Sequence, residues 1–161
     1  MISDPLQQKD SAEFFEKYLQ QIPVMVGLGA DLLEISRLQE KIQRHGSFFL
    51  DRIFTVQEQA YCSGKFNPYS HYASRFCAKE AFVKALGWGI SKRCSWLDIE
   101  VCHNLQGRPR LKISEHVYKF IPWGGMTSYL SLSDEKHYAQ AVVVLLAPVG
   151  AVKDFFYESD G

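Results

Sequence analysis

One segment limits the fold more than any other: Phe76-Cys77-Ala78-Lys79-Glu80-Ala81-Phe82-Val83-Lys84-Ala85-Leu86-Gly87. Apolar residues fall on nearly every side of it at helical spacing, which predicts a helix enclosed by the rest of the chain. Lys79, Glu80 and Lys84 sit inside that apolar sequence. A buried charge is costly without a partner, so these three require a metal, an anion or one another. Glu80 and Lys84 stand one turn apart, and an ordinary helix ion pair, worth about 0.2–0.5 kcal/mol, is one way to satisfy them.

A second segment offers the helix a counterpart. Val24-Met25-Val26-Gly27-Leu28-Gly29-Ala30 reads as a strand over 24–30, and its two glycines signal close backbone approach. Asp31 follows at the strand's end, framed by Leu28, Ala30, Leu32 and Leu33. Such a carboxylate could cap the next helix. Alternatively, Asp31 and Glu80 share a hard cation, with the remaining positions left to water and phosphate. Lys84 then faces the same phosphates as a point charge. That second arrangement is the makeup of a phosphoryl-transfer site.

Composition narrows the class. A chain of 161 residues suits one domain that buries on the order of 70% of its unfolded surface. Its 18 Lys and Arg are matched by 18 Asp and Glu, so there is no global basic footprint for nucleic acid. No apolar run approaches the roughly 20 residues that span a bilayer, and the N-terminus lacks a basic-then-apolar signal. Cys62, Cys77, Cys94 and Cys102 lack the paired spacing of a zinc site. They read as reduced thiols of a cytoplasmic protein, with Cys77 a small core residue.

The chain divides into an extension over 1–22, with helical spacing from Ser11 to Leu19, a core over 23–147, and a loose acidic tail over 148–161. Within the core the pattern predicts helices near 35–45, from Thr55 to Ser63 and from about Pro68 to Leu86. Asp98 to His103 and Arg110 to Ile113 pair across a turn containing Gly107. Ser114 caps a short helix that Pro122-Trp123-Gly124-Gly125 ends, and strands at Thr127 to Ser133 and Tyr138 to Leu146 close the domain. The order predicts an α+β fold, a mainly antiparallel sheet packed on a long helix. Arg37, Lys41 and Arg44 share one helix face, either a solvated stripe or a ridge that steers an acidic partner.

Four motifs recur in the order of one family. Gly27-Leu28-Gly29-Ala30-Asp31 leads to Glu34-Ile35-Ser36-Arg37, and Arg75-Phe76-Cys77-Ala78-Lys79-Glu80 runs on to Lys84-Ala85 and Gly87-Trp88-Gly89. Trp96-Leu97-Asp98-Ile99-Glu100-Val101 precedes Gly107-Arg108-Pro109, and Leu130-Ser131-Leu132-Ser133 enters the last strand. Over about residues 24–147 the chain resembles the bacterial holo-acyl-carrier-protein synthases, the small type of 4′-phosphopantetheinyl transferase. The glycine-aspartate strand alone is a weak sign, whereas the glutamate helix motif is fairly specific.

The resemblance implies the 4′-phosphopantetheinyl transferase fold and a homotrimer with active sites at subunit boundaries. It implies transfer of the 4′-phosphopantetheine arm of coenzyme A to a serine of apo-acyl carrier protein, a step of fatty acid biosynthesis that releases adenosine 3′,5′-bisphosphate. Asp31 and Glu80 would hold Mg²⁺, Lys84 would stabilise the leaving phosphate, and Arg75 would pair with another phosphate of the nucleotide. Gly87 and Gly89 would admit the nucleotide close to the backbone, Pro109 would shape the pocket wall, and Arg37 with Arg44 would dock the carrier. The base for the serine stays open between a water on the metal and Glu80. A coenzyme A or carrier binder of the same fold with impaired catalysis is the alternative. Two positions depart from the pattern. Asp134 stands where the family usually has a phosphate-contacting histidine, with His137 on offer as a substitute, and Trp88 replaces a small hydroxylated residue, placed to stack on adenine or to pack against a neighbouring subunit.

Overall fold

The computed structural model describes residues 17–152. The helix expected from Ser11 lies outside the described residues except for its last turn, as does the tail beyond 152. The elements run β1 (Pro23–Glu34), α1 (Ile35–Ile53), α2 (Val56–Ser63) and α3 (Pro68–Ala85), then a 3₁₀ turn (Trp96–Asp98). After them come β2 (Ile99–His103), β3 (Pro109–Ile113), α4 (Glu115–Tyr118), β4 (Thr127–Asp134) and β5 (Tyr138–Pro148). One antiparallel sheet has the order β1-β5-β4, and β2 pairs with β3 in a second. This is the α+β architecture anticipated from the pattern.

Strand alternation decides where the core lies. Along β5, Ala139, Ala141, Val143, Leu145 and Ala147 are buried, while the residues between them point to the opposite face. The buried row meets α3, whose Ala73, Cys77, Ala78, Ala81, Phe82 and Val83 are also sealed from solvent. Burying a side chain the size of Phe82 contributes roughly 1.5–3 kcal/mol. Pro68 starts α3 at a position where a missing N–H is harmless. Gly87, at φ 68°, turns the chain out of the helix, and Trp88 N donates to the Val83 carbonyl at 2.8 Å.

The two glycines of β1 have a steric cause. A Cβ on Gly27 would collide with the Ala85 carbonyl, and one on Gly29 with the Ala81 carbonyl. Only glycine lets β1 lie against the α3 backbone. That contact sets Asp31 beside the helix.

Several expectations need correction. β1 continues to Glu34, so Asp31 sits within the strand, opposite Ala141, rather than at its end. Glu34 occupies the N-cap of α1, which rules out Asp31 as the cap. α1 does not stop near 45; it bends at Gly46 (φ 53°) and resumes to Ile53. Asp98 belongs to the 3₁₀ turn, where it accepts from Ser95 N and Oγ and from Ser114 Oγ. Ser114 therefore precedes α4 without capping it through its side chain, and α4 ends at Tyr118, before Pro122. β5 reaches Pro148, Val149 N and Gly150 N then donate to the carbonyls of Ile22 and Gln20, and Val152 is buried.

Candidate active site

The strand-helix contact assembles a charged group at one end of α3. Cys77, Glu80 and Lys84 follow one another at i, i+3 and i+7, a single helix face. Asp31 on β1 meets that face: Lys84 Nζ donates to Asp31 Oδ1 at 2.7 Å and to the Ala30 carbonyl at 3.2 Å. Lys84 thus pairs across the fold, and the ion pair with Glu80 expected one turn away does not form among the described residues. The buried Cys77 thiol donates to the Ala139 carbonyl at 3.3 Å, and the Asp31 charge reaches it. Burial, and then Asp31, push that thiol well above its ordinary value, so it is a protonated wall of the site.

Electrostatics make the carboxylates unusual neighbours. Burial, followed by repulsion from Asp31, raises Glu80 above the usual carboxylate range, and Lys84 offsets part of this. The hydrogen bond to Asp31, and then the charges of Asp31 and Glu80, raise Lys84. A divalent cation between Asp31 and Glu80 would relieve the repulsion that one ammonium only partly cancels. Both carboxylates are half-buried oxygen donors, which suits Mg²⁺ with most ligands taken from water and phosphate. Among the described residues no cluster of three or more His, Cys, Asp and Glu side chains forms, so protein alone would not complete such a shell.

A hollow of about 520 Å³ opens beside Lys84, lined by Gly87, Trp88, Arg93, Phe120 and Trp123 among others. Lys84 and Gly87 therefore share one cavity, and Trp88 forms part of its wall. Arg75 and Pro109 lie elsewhere. From Arg75 to Lys84 the helix advances about 14 Å and turns to its opposite face. Arg75 is only 2% exposed. Its guanidinium lies 4.0 Å from the Tyr61 ring centroid, and Nη1 donates to the His71 carbonyl at 3.2 Å. Pro109 pairs with His103, whose ring stacks on the same Tyr61. The expected nucleotide-binding residues thus fall into two groups that a single chain does not bring together.

The remaining sites are local. Arg37 and Lys41 are exposed on α1 and border a small hollow with Leu33, Leu38 and Phe76, and Arg44 is exposed farther along. Asp134 ends β4 and its charge reaches His71, while His137 is exposed and its carbonyl accepts from Ile35 N at 2.8 Å. Lys79 meets neither a metal nor an anion from outside. It is fully buried against Glu58 at 2.7 Å and donates to the carbonyls of Ile53 and Trp96. Glu58 carries one local signal, the Thr55-x-x-Glu58 capping box that forms at α2, but nothing nearby in sequence points it at Lys79.

Comparisons with known proteins agree on one assignment. Residues 27–143 match the family model of the 4′-phosphopantetheinyl transferase superfamily. The holo-[acyl-carrier-protein] synthase of Protochlamydia amoebophila is 42% identical over 119 residues, covering 74% of this chain and 96% of the relative. That of Chlamydia caviae is 44% identical over 119 residues, with 74% and 95% covered. Among solved structures, the Neisseria meningitidis holo-[acyl-carrier-protein] synthase superposes with a TM-score of 0.70 at 32% identity, covering 76% of this chain and 98% of that one. The Helicobacter pylori enzyme in complex with coenzyme A gives 0.66 at 30%, with 73% and 98% covered. The chain therefore belongs to the holo-[acyl-carrier-protein] synthase family of the 4′-phosphopantetheinyl transferase superfamily.

Proposed function

We propose that this chain transfers the 4′-phosphopantetheine group of coenzyme A to a serine of apo-acyl carrier protein, releasing adenosine 3′,5′-bisphosphate. The observation that carries the reading is Asp31, Glu80 and Lys84 held together at the open end of α3. Asp31 and Glu80 would hold Mg²⁺, which when bound neutralises charge on the pyrophosphate as its bridging oxygen departs. Lys84, whose raised pKa keeps it protonated, turns its ammonium to the leaving phosphate. Gly87 has no side chain to block the hollow beside it. Glu80 would be the side chain of this group available to take a proton from the incoming serine.

The two separated groups support a shared site. The outer face of the β1-β5-β4 sheet presents Met25, Leu28, Leu32 and Tyr129, all more than half exposed. Leu28 and Tyr129 both register against Val144, so the patch is continuous across three strands. Such a face is a ready contact for further copies of the chain. A trimer would let the Arg75 side of one copy complete the Asp31 side of the next. Exposed Arg37 and Arg44 would dock the acidic carrier. No described helix is long and apolar enough to cross a membrane; free buried thiols together with these substrates support a reading of work in the cytoplasm.

Intact mass measurement of apo carrier after incubation with the protein, coenzyme A and Mg²⁺ tests the reading. A phosphopantetheine mass increase that chelator abolishes and Mg²⁺ restores is expected. An unchanged carrier would refute the transfer, and transfer insensitive to chelator would refute the metal. Sedimentation of the free protein should return three copies; a monomer would remove the shared site.

A further inference from the structure

A histidine ties together two walls of the hollow beside Lys84. The first wall is the segment that leaves α3, where Trp88 and Arg93 line the hollow. Ser91 N donates to the Cys94 carbonyl at 2.9 Å and Cys94 N to the Ser91 carbonyl at 3.2 Å, a tight turn with Lys92 and Arg93 at its tip. The second wall, Phe120, Pro122 and Trp123, follows α4. His116 on α4 touches both: Nε2 donates to the Lys92 carbonyl at 2.9 Å, and the ring meets Phe120 edge-on at 5.1 Å. A carbonyl only accepts, so Nε2 carries the proton. Cys94, Val117 and Trp123 are buried and anchor the bases of the walls, while Lys92, Arg93 and His116 stand exposed above them. Among the described residues the Arg93 guanidinium has no ion-pair partner.

We propose that His116 is a positioning residue: it holds the Ser91–Cys94 turn against α4 and thereby sets Arg93, with Lys84, as a second cation for the diphosphate of coenzyme A. The inference rests on coenzyme A being the substrate. Lys84 already donates to Asp31 at 2.7 Å, so its charge is partly neutralised before a phosphate arrives. Arg93 lines the same hollow with its charge unpaired. A diphosphate presents adjacent anionic oxygens, and a guanidinium meets two of them at once as a planar fork. An arginine on a free turn would lose backbone and side-chain freedom when it engaged them. A turn already latched to α4 has lost part of that freedom in advance, which leaves more of the fork's interaction as affinity. The two roles are distinct: Arg93 touches the substrate, and His116 acts through Arg93.

Calorimetry of coenzyme A binding to the full chain, as it assembles, tests this. Arg93→Gln should weaken binding roughly tenfold, the scale of one charge-assisted hydrogen bond. Arg93→Lys should recover part of the loss, because the charge returns without the fork. His116→Phe keeps a ring against Phe120 but has no donor for the Lys92 carbonyl, and should weaken binding about threefold through the freed turn. His116→Gln returns an N–H near the Nε2 position and should restore most of the affinity. In the double variant, His116→Phe should add nothing once Arg93→Gln is in place, a coupling that a merely structural histidine would not show. Unchanged affinity in Arg93→Gln, equal losses from His116→Phe with and without Arg93, or no recovery in His116→Gln would each overturn the inference. Binding is read without transfer, so failure of transfer is seen separately in the carrier mass.

Discussion

Lys79 and Lys84 lie on the same helix, and each holds a carboxylate at 2.7 Å. Their surroundings differ in every other respect. The Lys79–Glu58 pair is 0% exposed on both sides, whereas Lys84 is 49% and Asp31 15% exposed. Lys79 gives its hydrogen bonds to Glu58 and the carbonyls of Ile53 and Trp96; Glu58 also accepts from Val101 N and Thr55 N. Burial pulls Lys79 below its ordinary value, and Glu58 pulls it back. Every polar atom there has a partner inside the chain, which leaves nothing for a ligand. At Lys84 the charges are unequal, with two carboxylates facing one ammonium, and solvent reaches all three. Equal distances thus describe a fold-holding pair and the proposed site, and the unmet charge tells them apart.

The largest effect should come from breaking the sealed pair. Removing one partner leaves an uncompensated buried charge, which costs about 3–5 kcal/mol. Lys79→Met should therefore lower the urea midpoint sharply or prevent folding, although the residue touches no substrate. Adding Glu58→Gln should recover only part of the loss, because the Val101 and Thr55 amides still need their acceptor. A midpoint unchanged in Lys79→Met would erase the distinction between the two lysines.

Asp31→Asn and Glu80→Gln probe the open group. Each should reduce transfer by at least about a hundredfold, the scale of losing a principal charge stabiliser, or roughly 2.7 kcal/mol at the barrier. Stability should hold, and Glu80→Gln should even raise it above the carboxylate pKa. The sign follows from the raised Glu80 value: the folded state disfavours the charged form, so the native glutamate loses stability as pH rises through its unfolded value toward the folded one. Carrier mass at limiting Mg²⁺ and urea midpoints at pH 4 and 7 check both halves. Near-normal transfer, or a midpoint loss as large as that of Lys79→Met, would merge the two regions.

These contrasts also mark what the sequence could reveal. Gly27 and Gly29 announce a close approach because no side chain can replace them there, and Asp31 and Glu80 stand out as acids within apolar runs. The antiparallel α+β order was legible from strand alternation and glycine turns. The partner of Lys79 was not, since Glu58 reads as a cap residue and its second role depends on how α2 folds back on α3. The direction of Arg75 was equally hidden. A helix buried on nearly every side has no polar face from which to read orientation, and only tertiary packing shows that Arg75 and Lys84 point apart. Gly46 could be seen as a glycine, but the resumption of α1 after it is fixed by burial of Ile53 against the core.

Arg37→Glu should act more gently and only through the partner. Arg37 is exposed beside Lys41, so reversing its charge should raise the Michaelis constant for carrier protein about tenfold at low salt and flatten its salt dependence. The constant for coenzyme A should stay as it was. Equal losses for both substrates would tie α1 to the Asp31 group rather than to docking.

The smallest effect belongs to a third lysine pair. Lys112 sits 3.6 Å from Glu100 across β2 and β3, with the lysine 75% and the glutamate 15% exposed. A long, solvated ammonium at that distance contributes little, and Lys112→Ala should cost no more than about 0.5 kcal/mol. Glu100 faces two ways, because its charge also supports protonated Lys79, after Glu58. Glu100→Gln should therefore cost more than Lys112→Ala, and the excess should persist when Lys112 is already alanine. A double-mutant cycle on urea midpoints separates the two paths. Near-zero coupling between Glu100 and Lys112 is expected. If the Glu100→Gln loss disappears in the Lys112→Ala background, the surface pair carries the energy and the sealed Lys79–Glu58 pair stands without help from β2.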